Sequence, residues 1–112
     1  MEKTSIDQSE VKKTPHDATV KPLLSKDPAE FIHIEMEPGQ SLRKHITPVD
    51  AFFYCLEGDG VVEIGDEKAE LTPGDLVFSP ANVPHLMRNP SDYIFGVLVV
   101  KAPRPTSETR IL

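Results

Sequence analysis

Cysteine is almost absent: Cys55 is the only one in 112 residues. That excludes an internal disulfide and suits a reducing compartment. No apolar stretch is long enough to cross a membrane. The opening Met1-Glu2-Lys3-Thr4-Ser5-Ile6-Asp7 lacks the hydrophobic segment of a secretory signal, so a cytoplasmic protein is expected. A basic cluster is also missing. The twelve Lys and Arg residues are scattered through a chain of formal net charge −6. Nucleic acid and anionic membrane surfaces are therefore discounted as partners, because both require grouped cations. No helical period, internal repeat or low-complexity run occurs, and the length allows one domain.

Proline, by contrast, is abundant. Eleven prolines are about twice the usual share of roughly 5%. They punctuate the chain in a way that suits many short strands and excludes long helices. Residues 1–20 read as a flexible N-terminal tail, and residues 21–112 as a single barrel domain. Within the boundary region, Ala18 to Leu24 reads as a short arm able to add a strand to a barrel edge or a partner subunit, although Pro22 brings no N–H to a ladder. From Phe31 the pattern alternates: Ile32, Ile34 and Met36 face one way, and His33, Glu35 and Glu37 the other, with His33 expected to point outward. Pro38-Gly39 and Pro73-Gly74 are turn pairs. Strands are expected at Leu42 to His45, Ala51 to Glu57, Val61 to Ile64, Glu67 to Leu71, Leu76 to Ser79, His85 to Arg88 and Tyr93 to Lys101. Regular structure should end after Ala102, at Pro103 and Pro105. The predicted fold class is all-β and antiparallel, without significant helix.

Two spaced motifs sharpen this. Gly39 is followed after five residues by His45, then by Thr47 and, counted back from Gly58, by Ala51. Gly74 is followed by Pro80, Asn82, His85 and Asn89 in regular spacing. These resemble the two motifs of the cupins, G-x5-H-x-H-x3,4-E-x6-G and G-x5-P-x-G-x2-H-x3-N, over roughly Phe31 to Ala102. Thr47 and Ala51 stand where the family has a histidine and a glutamate, and Asn82 where it has a glycine. Asn is the next most tolerant residue of a left-handed conformation. The resemblance implies an antiparallel jelly-roll β-barrel like that of other small single-domain cupins. Activity does not follow from it, because the family spans metal dioxygenases, isomerases, storage proteins and sensor domains.

Metal-holding cupins use three His and one Glu for Fe, Mn, Zn or Ni. By resemblance the metal candidates here are His45 and His85 alone, two imidazoles without a carboxylate, which make a weak divalent site at most. Asp50 is one residue off the glutamate position, and strand periodicity turns such a slip to the opposite face. His16 falls in the tail. The expected pocket lining is His45, Thr47, Phe53, Cys55, His85 and Met87, with Cys55 read as an inert small apolar residue. Asn89 is expected to cap a turn through its side chain. The opposite parity of the same strand, Phe52, Tyr54 and Leu56, is apolar yet outward, and such patches mark interfaces. A homodimer through this face is expected, as cupins commonly form.

Three functions compete. The first is a small-molecule-binding module with a degenerate metal site. The second is a metal-dependent enzyme of dioxygenase or isomerase type, using His45, His85 and an unusual third ligand. The third is a structural dimer with a vestigial pocket. The absent Glu and second His favour the first. A phosphorylated substrate would require an interior Arg or Lys, and Arg43, Lys44 and Arg88 are mostly outward by parity.

Overall fold

The computed structural model describes residues 1–112. Ten strands and no helix make up the chain: β1 (Thr19–Lys26), β2 (Ala29–Met36), β3 (His45–Ile46), β4 (Asp50–Glu57), β5 (Gly60–Ile64), β6 (Glu67–Leu71), β7 (Leu76–Ser79), β8 (His85–Arg88), β9 (Phe95–Ala102) and β10 (Arg110–Ile111). They pair antiparallel in two five-stranded sheets, ordered β1-β2-β9-β4-β7 and β10-β3-β8-β5-β6. No helix is long and apolar enough to cross a membrane.

The jelly-roll fold is realised as a two-sheet sandwich rather than a ladder closed into a barrel. The edge strands of one sheet make no ladder with those of the other. Two of the crossings between the sheets, β7 to β8 and β9 to β10, run through Pro80 to Pro84 and Pro103 to Pro105, where missing N–H groups disfavour a continuous ladder.

Pairing also redraws three expected boundaries. The tail boundary near residue 20 falls inside β1, which lies on the edge of its sheet, where Pro22 is tolerated beside a register shift between Pro22 and Leu24. Ahead of β1, Lys12 bridges Val20 and Asp17 bridges Ser41, so this segment crosses over the sandwich. The strand expected over Leu42 to His45 begins only at His45. Leu42 is instead held by its N–H on the Met87 carbonyl at 2.8 Å. Past Pro105 the chain returns as β10, with Arg110 opposite Ile46, although Pro103 and Pro105 by themselves predict an end of regular structure.

Turn chemistry matches the sequence. Gly39 has φ 84°, and the Gln40 N–H closes the Glu37-to-Gln40 turn on the Glu37 carbonyl at 3.0 Å. Asn82 has φ 65° and is the one non-glycine residue in the left-handed region. That conformation explains why Asn can replace Gly there.

The central strand β9 decides how the interior is filled. It turns Phe95, Val97 and Val99 between the sheets, where they pack with Met36, Phe53 and Leu71 in one buried cluster. Residues two apart on a strand share a face, so Lys101 follows them inward. At the closed end Asn89 is 1% exposed. Its Nδ2 donates to the Met36 and Tyr93 carbonyls at 3.0 and 2.6 Å, and its Oδ1 accepts from the Ser91 N–H and hydroxyl at 3.0 and 2.7 Å. Replacing Asn89 with Ala removes all four bonds and leaves a gap at a fully buried position. The expected loss, read by urea denaturation, is about 3 kcal/mol of unfolding free energy.

Candidate functional site

A cavity of about 490 Å³ opens between the sheets beyond the Phe53–Val99 layer. One wall carries His45, Thr47, His85 and Met87; the other carries Ala51, Phe53, Val99 and Lys101; His16 closes over it from the segment before β1. The size lies within the range of small-molecule sites.

His45 opens β3, and its cross-strand partner is His85, the first residue of β8. The rings meet edge to face with centroids 4.3 Å apart. Their Nε2 atoms lie 2.9 Å apart. The hydrogen bonds assign the protons. His45 Nδ1–H donates to the Arg43 carbonyl at 2.6 Å, leaving a lone pair on Nε2. His85 Nε2–H therefore donates to that lone pair, and His85 Nδ1 accepts from the Ser79 hydroxyl at 2.7 Å. Thr47 Oγ1 stands 3.4 Å from His85 Nε2. The His16 ring centroid is 4.8 Å from that of His45. Its Nδ1 accepts the Arg43 backbone N–H at 3.0 Å, so in the neutral ring Nε2 carries the proton.

All three imidazoles are held neutral. Burial pushes His85 down to about 3, helped by His45, Lys101 and His16, and pushes His16 down to about 4, helped by His45, Lys101 and Arg43. His45 is lowered by burial and by Lys101, against the opposing bond to Arg43. Lys101 is itself lowered, first by burial and then by Lys12, with Glu30 acting the other way.

Of the six lining residues expected from sequence, His45, Thr47, Phe53, His85 and Met87 stand in the cavity wall. Cys55 does not. It has the inward parity of β4, but it sits opposite Val97 in the filled end of the sandwich. There its thiol points to the Glu57 and Gly58 carbonyls at 3.7 and 3.5 Å, and burial raises it above the usual thiol range. Asp50 faces away and accepts the Ala81 N–H at 2.9 Å, tying down the loop before β8. His33 has the outward parity expected of it, yet it is only 3% exposed, because Glu57 and the imidazole share the space over Gly96. Its Nδ1 has no partner.

Among the cavity residues that escaped the sequence reading, Lys101 and His16 bear on its chemistry. Lys101 was legible, since it continues the inward parity of Val97 and Val99. His16 carried no signal, because only the crossing of its segment over β1 brings it to His45.

Two stacked antiparallel sheets with a histidine-lined cavity between them define the double-stranded jelly-roll class of β proteins. Within that class the chain belongs to the cupins: the family's cupin domain matches residues 32–101. It is 30% identical to the uncharacterized protein MJ1618 of Methanocaldococcus jannaschii, over 89% of this chain and 94% of that one. The crystal structure of TT1209 from Thermus thermophilus superposes with a TM-score of 0.80 at 34% identity, covering 94% of this chain and all of the other. A 3-hydroxyanthranilate 3,4-dioxygenase of Shewanella woodyi is 36% identical over 61% of this chain, which spans 38% of that enzyme.

A divalent ion of the kind many cupins hold does not fit the residues present. No three His, Cys, Asp or Glu side chains come together as a donor group. His45 and His85 satisfy each other, His16 Nε2 is protonated, Ala51 supplies no donor, and an ammonium faces the same space.

These neutral histidines make stability pH-dependent. Their folded values lie below the ordinary 6.5, so on acidification the unfolded chain takes up protons first. The stability they contribute is complete above pH 6.5 and is lost as pH falls toward 4 and then 3. The urea midpoint should drop between about pH 7 and pH 5, and drop less in His85→Gln. Equal slopes in the two proteins would contradict the assignment.

Proposed function

We propose that this chain is a small-molecule-binding cupin whose cavity works without a resident metal. The observation that carries this reading is the His45–His85 hydrogen bond of 2.9 Å in a cavity with no carboxylate at the Ala51 position. An imidazole pair that satisfies itself is a neutral polar pole facing the apolar side chains of Phe53 and Val99, which suits a ligand recognised by shape and a few hydrogen bonds. A reducing, cytoplasmic setting belongs to the same reading, supported by the lone buried thiol of Cys55.

A metal-dependent dioxygenase or isomerase is the second reading. The likeness to 3-hydroxyanthranilate 3,4-dioxygenase favours it. So does the convergence of two Nε2 atoms at 2.9 Å, near the spacing of two donors about 2.1 Å from one ion. Elemental analysis of protein purified without a metal-affinity tag separates the two. The expected content is far below one ion per chain and unchanged in His45→Ala. Near-stoichiometric Fe, Mn, Zn or Ni, lost in His45→Ala and His85→Ala, would overturn the metal-free cavity and favour the metal-dependent reading.

The partner in this reading is a second copy of the chain. Phe52, Tyr54 and Leu56 on β4 continue into Leu76 and Phe78 on β7, which are 64% and 51% exposed. The Phe52 and Phe78 rings pack with centroids 5.3 Å apart, forming one apolar surface across two strands. Leaving such a face in water is unfavourable, and a two-fold contact covers it on both copies. Sedimentation equilibrium should find a dimer at micromolar concentration, and Phe78→Glu should convert it to a folded monomer. A monomeric parent protein would end the dimer reading.

A further inference from the structure

The cavity is charged against the sign of the chain. The whole sequence carries −6, yet the cavity is lined by Lys12, Lys13 and Lys101 against Glu30 and Glu108. Lys101 is the informative one. Strand parity turns it between the sheets behind Val99, and its Nζ makes one long hydrogen bond, to Thr109 Oγ1 at 3.4 Å. The ion pairs of the chain are Lys26–Glu2, Arg88–Glu63 and Arg104–Asp27, so no carboxylate oxygen comes within 4.0 Å of Lys101. Glu30 stands opposite it in the β2–β9 register without closing on it. On the other side its cross-strand neighbour is Ala51, whose methyl leaves the space in front of the ammonium open.

A largely buried cation without an ion pair destabilises the fold that holds it. Glu30 offsets this one only at a distance, and no ion pair closes on it. A second donor faces the same space: His16 Nε2–H, whose orientation is set by the Arg43 N–H on the far side of the ring. An ammonium and an N–H donor directed into one chamber recognise negative oxygen. Ile32, Ile34, Leu42, Phe53 and Val99 add an apolar stretch to the lining.

We infer that the cavity binds a small organic carboxylate, with the carboxylate group on Lys101 Nζ and His16 Nε2–H and an apolar body along Phe53 and Val99. This rests on the small-molecule reading above and adds the ligand class. Set against Glu30 and Glu108, the three lining lysines leave one net positive charge, which matches the single charge of a carboxylate. A phosphate dianion would require more cations or an Arg fork.

Isothermal titration calorimetry on the full chain tests the assignment with hexanoate and benzoate, their neutral counterparts hexanamide and benzamide, and inorganic phosphate. Each carboxylate should bind at least about tenfold more tightly than its amide, and phosphate more weakly than either carboxylate. Lys101→Met should bring the carboxylate-to-amide ratio to about one while amide binding is kept, and Lys101→Arg should retain the preference. Lys101→Met should also raise the melting temperature, because it removes an unpaired buried charge. A purely structural lysine would lower it on removal.

Equal binding of acid and amide, or a preference that survives Lys101→Met, overturns the carboxylate assignment and leaves a ligand pocket. Phosphate binding as tight as hexanoate overturns it in favour of a phosphorylated ligand. A preference abolished by chelation overturns it in favour of a metal-bound acid. Binding of no probe at all removes the small-molecule reading together with it.

Discussion

Strand β9 can send only every second side chain between the sheets, and the rest of the molecule is arranged around that parity. Phe95, Val97 and Val99 pass inward in turn, and then Lys101 takes the same direction. At the Phe95 end the space is filled by Met36, Leu71 and Cys55. At the Lys101 end it is left open. One strand thus runs from dry packing to a charged chamber in six residues, about 20 Å of extended chain. Because β9 lies between β2 and β4, the gradient cannot be shifted without turning every core residue of the first sheet to the other face.

The histidine pair depends on the opposite sheet in the same way. His45 and His85 are forty positions apart, and a single bridge between β3 and β8 puts them face to face. Their neutrality follows from the shared setting. Each is desolvated, His45 and Lys101 act on His85, and the local dielectric is too low for several cations to coexist. A carboxylate at the Ala51 position would reverse that balance. Without it, Lys101 closes no ion pair although Glu30 and Glu108 line the same chamber, and an anion is the missing complement.

The outer face of the first sheet follows a different logic. His33 is buried there without a partner for Nδ1, beside Glu57 and Gly96, while Tyr54, Leu56, Leu76 and Phe78 stay in water. The inward face of β4 belongs to the core and cavity, so its outward face is free to be apolar for a separate reason. One eight-residue strand therefore serves two surfaces.

Much of this was readable in the chain itself. Alternation from Ile32 to Met36 and the Pro-Gly turns determined an all-β fold, because strand period and turn geometry are local properties; the jelly roll followed from the resemblance of the His45, His85 and Asn89 spacing to the cupin motifs. The left-handed position of Asn82 was legible for the same reason. The tertiary structure alone decided what shares the cavity. It brought His16 over His45 through a crossing of the N-terminal segment and returned the C-terminal segment as β10. It also placed Cys55 in the filled end although its parity was inward. Parity says which face a side chain takes. How far along that face the packing closes depends on side chains contributed by strands distant in sequence.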